Sequence, residues 1–299
     1  MIDTMAALDD WQESGSTFSY QDYPIFYQDS APRDDSRPVL LCLHGFPTSS
    51  WDWRRVWPLL GAGYRLLAPD FIGFGFSAKP RHHDYSFFDQ MDLVEALLAH
   101  LKIESVHILA HDYGDTVLQE WLARRQEGRP PHEGSLAVQS VCLLNGGIFP
   151  EAIRPRPVQT LLRSSLGALA TRLINERLFA RSLSSVFGPA SRPTAAELKA
   201  YWRLASRNNG LRITPRLIRY MDEREAHRAR WASALQEADL PLRLVWGPLD
   251  PVSGRPVADR YRELVPDPDV VFLEGIGHYP QLEDPAGVVR ELLAFQATL

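Results

Sequence analysis

Four short apolar runs constrain this chain most: PVLLCLHG (38–45), YRLLAPD (64–70), VHILAHD (106–112) and VQSVCLLN (138–145). The first is continuous and stops at a glycine, as expected of a strand buried on both faces. Such strands belong to a parallel sheet, and each parallel pair needs a crossover segment. The chain supplies them. Residues 87–102 carry Phe88, Met91, Val94, Leu97, Leu98 and Leu101 at helical spacing. Residues 114–126 read as another helix and 51–60 as a short one. Two strands within 17–29 precede the series, with no element expected before them. The alternation predicts an α/β fold with a mostly parallel central sheet and right-handed crossovers.

The rhythm breaks after Gly147. From about 150 to 236 the pattern is helical and Arg-rich, punctuated by Pro150, Pro155, Pro157, Pro189, Pro193 and Pro215. Strand character resumes in LPLRLVWGPLD (240–250). A helix near 254–264, the strand DVVFLEG (269–275) and a last helix at 285–297 follow. The expected division is a core of 1–149 and 237–299 with a helical cap, 150–236, inserted over the carboxyl ends of the strands, where open α/β sheets bind ligands. The cap arginines read as solvated surface.

Composition excludes several classes. At 299 residues, 45% hydrophobic and 23% charged, the chain suits one large α/β domain or a core with an inserted subdomain. A net charge of −5 without a basic block argues against nucleic acid. The longest apolar run, Val39 to Leu43, is far short of the roughly 20 residues of a membrane helix, so no membrane partner is expected. Asp3, Asp9 and Asp10 do not suit a secretory signal. Cys42 and Cys142 lie in strand-like runs and read as small buried hydrophobes, with no disulfide framework and no zinc site. The expectation is a reduced, cytoplasmic protein without metal or cofactor. Oligomeric state is left open.

The chemistry gathers at strand ends. Ala110-His111-Asp112-Tyr113-Gly114 has the form small-x-nucleophile-x-small, whose small flanks permit a sharp strand-to-helix turn. Alone, this motif is equally well read as Asp112 capping a helix. Two further positions decide it. Asp250 follows the strand LRLVW and His278 follows VVFLEG, which completes the order nucleophile, acid, histidine. The turn His44-Gly45-Phe46-Pro47 is the source of a second oxyanion donor, so the backbone N–H groups of Phe46 and Tyr113 are assigned that role. His44 itself reads as a structural turn residue.

A carboxylate, with a reference pKa of about 4, needs no base before it attacks. It suits an sp3 carbon bearing a leaving group and yields an ester on Asp112. His278, oriented by Asp250, then serves as base toward a water that attacks the carbonyl carbon of Asp112. Serine-type ester hydrolysis is disfavoured, because aspartate attack on an ester gives an anhydride.

HGFPTSSWDW, DFIGFGFSAKP, AHDYGDTV, GPLDPV and GHYPQLEDP together resemble the aspartate-nucleophile α/β-hydrolases, meaning epoxide hydrolases and haloalkane dehalogenases. Within that group HDYGDTVLQE, LLNGGIFPE, VFGP, RNNG, RARW and HYPQLEDP are most similar to the mesoderm-specific transcript (MEST)-like proteins, from about 17 to 299. The resemblance implies an α/β-hydrolase fold, with a small apolar electrophile and water as substrates. Such dehalogenases hold the halide on side-chain N–H donors. Here Phe46 and Tyr113 occupy the core positions, leaving the indole of Trp202 or Trp231. Such epoxide hydrolases use cap tyrosines as acids. Tyr220 resembles one by position, no residue matches the other, and Tyr201 is a fallback. Tyr201, Trp202 and Asn145 are the expected pocket residues, Asn145 being equally readable as a turn cap. Asp115 reads as stabilising a helix N-terminus. The implied activity is epoxide opening to a diol. Haloalkane dehalogenation, or a non-catalytic binding role, are the alternatives.

Overall fold

The computed structural model describes residues 3–31, 35–129, 136–164 and 166–299. Its strands are β1 (Ser16–Tyr20), β2 (Tyr23–Asp29), β3 (Val39–Leu43), β4 (Arg65–Pro69), β5 (Ser105–His111), β6 (Ala137–Leu144), β7 (Leu242–Trp246) and β8 (Asp269–Phe272). They form one sheet in the order β1-β2-β4-β3-β5-β6-β7-β8. The β1–β2 and β2–β4 pairs are antiparallel, and every other pair is parallel. The apolar runs occupy the middle of the sheet because burial on both faces demands it: β4 is buried throughout, and β3 is buried from Leu40 to Leu43.

This order matters for chemistry. β3, β5, β6, β7 and β8 are five consecutive neighbours, and parallel strands end on the same side. The turns carrying Phe46, Asp112, Asn145, Asp250 and His278 all follow these strands. Residues spread over more than two hundred positions thereby converge on one edge.

Between β6 and β7 the described residues form only helices and 3-10 turns, from Pro150–Ala152 to Arg228–Gln236. Two anchors tie this insert to the sheet. Glu197 closes a capping box with Thr194 at the start of helix Ala195–Ser206, and its carboxylate also pairs with Arg54 at 2.5 Å and Arg55 at 2.7 Å. Glu283 accepts the N–H groups of Gly188 (2.8 Å) from the insert and Gly277 (3.0 Å) from the sheet side. The His278 N–H adds a bond to the Val186 carbonyl at 2.9 Å.

Two elements differ from the sequence reading. A helix, Thr4–Ser14, precedes β1; Asp3 caps it, and its buried Leu8 and Trp11 pack against helix Ala195–Ser206 of the insert. Only Met5, Leu8 and Trp11 are large apolar residues in this stretch, so the signal is thin. The span 51–60 is a 3-10 helix, Ser50–Arg55, and then a four-residue helix, Trp57–Leu60. Pro58 lacks an N–H and fits a first turn but not a helix interior, so the break falls before it. No helix among the described residues is long and apolar enough to cross a membrane.

Candidate active site

Asp112 stands between β5 and helix Tyr113–Gln126 with φ +48° and ψ −98°. A left-handed φ at a non-glycine residue stores about 1–3 kcal/mol, which the surrounding sheet must hold. Gly114 makes the turn possible, since a Cβ there would meet the Leu43 carbonyl oxygen at 2.5 Å. The elbow does not use Asp112 as a side-chain cap. Its carboxylate lines a cavity instead, and Oδ2 accepts the Phe46 N–H at 3.0 Å. His44 is a structural residue of the neighbouring turn: Nδ1 bonds the Gly45 carbonyl at 2.9 Å and Nε2 accepts the Phe71 N–H at 3.1 Å.

His278 lines the same cavity, and its Nδ1 bonds Asp250 Oδ2 at 2.7 Å. Burial alone would lower this imidazole, but Asp250 and Asp112 outweigh it and hold the ring above its ordinary value, at about 9. Asp250 moves the opposite way. Burial would raise it, yet His278, the Val252 N–H (2.7 Å) and the Ser253 hydroxyl (2.8 Å) hold it below the usual carboxylate range.

Asn145 is not a pocket residue. It is fully buried, and its amide nitrogen donates to Asp250 Oδ2 at 3.0 Å and to the Gly247 carbonyl at 2.9 Å. Its amide oxygen accepts the Gly247 N–H at 2.6 Å. It therefore fixes both the Asp250 carboxylate and the turn that carries it. His111 supports the other partner. Nε2 bonds the His278 carbonyl at 2.7 Å, and burial, aided by the charge on His278, lowers this ring to about 3, so it stays neutral.

The cavity, about 1090 Å3, runs from Asp112 under the inserted helices past Val158, Leu161, Ile174 and Phe179. Tyr220 lines it, buried, with its ring 5.4 Å from Phe46 and 5.5 Å from Tyr113. Its hydroxyl accepts from Gln159 at 3.4 Å and so keeps its own proton to donate. Burial and the Asp112 charge raise that hydroxyl above the ordinary phenol value, keeping it neutral.

Other expected pocket residues lie elsewhere. The Tyr113 hydroxyl turns away to the Tyr85 carbonyl at 3.3 Å, its ring packed among Phe71, Phe74 and Phe87. Tyr201 does not line the cavity; Arg54 donates to its hydroxyl at 2.8 Å. Trp202 also lies off the cavity, its ring against Phe179 at 5.6 Å, and the Trp231 indole is spent on Glu120 at 2.9 Å. Asp115 is buried, and neither carboxyl oxygen has a hydrogen-bond partner. Burial and then Asp112 raise it well above the ordinary carboxylate range, which works against the charge expected at the helix N-terminus.

The residue the sequence reading missed is Arg224. Its stretch reads as solvated arginine-rich surface, yet Arg224 is buried and lines the cavity. Nε donates to the Thr116 hydroxyl at 2.8 Å and one terminal nitrogen to the Asp112 carbonyl at 2.9 Å. That same nitrogen lies 3.5 Å from Asp112 Oδ1. The guanidinium covers the Tyr220 ring at 4.7 Å and leaves no room for a side chain at Gly147, whose Cβ would stand 2.4 Å from it. The one available signal was its spacing of four from Tyr220, which puts both on one helix face.

Residues 38–285 match the alpha/beta hydrolase fold family. The chain is 45% identical to the mesoderm-specific transcript homolog protein of Bos taurus over 97% of this chain and 88% of that protein. Among solved structures it is similar to the haloalkane dehalogenase DbeA-M1 loop variant from Bradyrhizobium elkanii, with a TM-score of 0.78 and 23% identity over 95% of this chain and 98% of that one. It is likewise similar to the epoxide hydrolase CorEH, with a TM-score of 0.76 and 21% identity over 95% of this chain and 98% of that one. At these identities the two structures speak for the fold alone.

Proposed function

Because the chain belongs to the alpha/beta hydrolase fold family, we propose that it is a hydrolase working through a covalent ester on Asp112, and that it opens epoxides to diols. Residues 1–149 and 237–299 carry the triad and the Phe46 donor, with the Tyr113 N–H assigned as its partner. Residues 150–236 act as the cap. Asp112 attacks an sp3 carbon while Tyr220 gives its proton to the opening oxygen. Water, activated by His278, then hydrolyses the ester.

One observation favours epoxide over halide. Tyr220 is a hydroxyl with its proton free, in the cavity that holds Asp112. The halide donors that the resemblance implies, on Tyr113, Trp202 and Trp231, are turned away, off the cavity or already bonded. Charge supports the order of steps as well. His278 carries a proton in the resting site, and alkylation removes the Asp112 anion that helps hold it. Alkylation thus eases release of that proton, while Asp250, the larger cause of the raised value, remains. The apolar cavity suits a small apolar electrophile. Two free, buried cysteines, Cys42 and Cys142, accord with the proposed reducing cytoplasmic setting.

His278→Gln, exposed to panels of epoxides and haloalkanes, should gain the mass of one epoxide by intact mass spectrometry. In heavy-oxygen water, single turnover of the wild-type protein should label Asp112. Halide release without diol formation would transfer the assignment to dehalogenation, and an unlabelled Asp112 would refute the ester.

A further inference from the structure

The two oxygens of Asp112 are set apart before any substrate arrives. Oδ2 accepts the Phe46 N–H at 3.0 Å, whereas Oδ1 lies 3.5 Å from the Arg224 guanidinium. Oδ2 therefore becomes the carbonyl oxygen of an Asp112 ester. Oδ1 is the oxygen that bonds the substrate carbon and departs with the product alcohol.

We propose that Arg224 is a catalytic residue of the second half-reaction, stabilising the negative charge that develops on Oδ1 as the ester breaks down; this rests on the aspartyl-ester reading above. Water gives a proton to His278, and its oxygen bonds Asp112 Cγ. The carbonyl electron pair moves onto Oδ2, facing Phe46 N–H. The pair then returns, the Cγ–Oδ1 bond breaks, and Oδ1 leaves on the substrate carbon, taking the proton from His278. The water oxygen stays on Cγ, and its remaining proton passes to His278, which regenerates the carboxylate and the protonated ring; the proton His278 held at rest has restored the Tyr220 phenol after ring opening. Arg224 gives up no proton at neutral pH and acts through charge and its N–H donors alone.

The same charge opposes the first half-reaction. In the resting site Arg224 stabilises the Asp112 anion, and alkylation removes that anion. A fixed cation beside Oδ1 thus resists ester formation and favours ester release. The mounting suits a charge that must stay in place: Thr116, the Asp112 carbonyl and the Tyr220 and Phe87 rings hold the guanidinium from several sides.

The test is rapid-quench kinetics with styrene oxide, reading the ester by intact mass, on the wild type, Arg224→Met, Arg224→Gln, Arg224→Lys and His278→Gln. Arg224→Met and Arg224→Gln should form the ester at the wild-type rate or faster, and hydrolyse it on the order of 100-fold more slowly. Ester then accumulates at steady state, and Arg224→Lys recovers part of the hydrolysis rate. Unimpaired alkylation is the internal proof that a variant is folded. Parallel slowing of both steps in the two neutral variants would show that Arg224 merely shapes the nucleophile, and would overturn the proposal. An adduct in His278→Gln with none accumulating in either neutral Arg224 variant overturns it alone. No adduct in His278→Gln overturns the ester reading and this proposal together.

Discussion

Asp112 and Tyr220 face one cavity from two kinds of support. Asp112, Asp250 and His278 stand on turns that continue β5, β7 and β8, and main-chain bonds between sheet elements fix those turns: Asp112 N–H to Leu144, Gly114 N–H to His44, Leu249 N–H to Ile276. Tyr220 and Arg224 belong to an inserted helix, Tyr220–Ala226, and are held chiefly by side chains and rings, Arg224 also by the Asp112 carbonyl. Sheet-borne groups are positioned by the register of the whole fold, and insert-borne groups by local packing. The first half of such a site suits chemistry common to a family. The second suits choice of leaving group, because it changes without disturbing the sheet.

Tyr220→Phe tests this division hardest. It should lower the rate of epoxide opening by about 100-fold, as loss of a general acid does, with little effect on ester hydrolysis. Rapid-quench measurement of the two steps separates them. Equal loss in both would mean the hydroxyl supports the pocket as a whole, and the contrast between insert and sheet would fail.

Asn145→Ala probes the sheet side. Asp250 Oδ2 and the Gly247 turn lose their amide partner while buried, at a cost of roughly 1–3 kcal/mol of stability. Ester hydrolysis should slow by about 10-fold as the acid loses its orientation, and alkylation should hold. Denaturant unfolding and single-turnover rates read the two effects. Unchanged hydrolysis would restrict Asn145 to the turn.

The expected effect spread over the widest range of conditions is in pH. His278 is held above its unfolded value, so its pair with Asp250 contributes fully below about pH 6.5. That contribution fades as pH rises through about 9. Unfolding free energy should therefore fall across that window, by no more than about 3 kcal/mol. His278→Gln should flatten the slope, and a slope unchanged in that variant would remove the pair as its source.

Several of these residues were legible in the chain. Asp112 with its small flanks, and Asp250 and His278 each after a strand, could be placed because a strand end is a local pattern and parallel strands end on one side. Asn145 was visible as a polar residue at a strand end, but its partner lies 105 positions away. Arg224 looked like any arginine of a basic helix, since burial of one face depends on what the helix meets. Tyr113 and Tyr201 were fair candidates by type, and the directions of their hydroxyls were decided by Tyr85 and Arg54.

Hydrophobic period and turn chemistry, both short-range, sufficed for the parallel sheet, the helical insertion and the placing of Asp112, Asp250 and His278 after their strands. Only the tertiary structure decided which cap groups reach Asp112. That depends on the docking of one helix against the elbow, where packing selects Tyr220 and Arg224 over Tyr201 and Trp202. Side-chain direction at long range is set by contacts that sequence spacing does not encode.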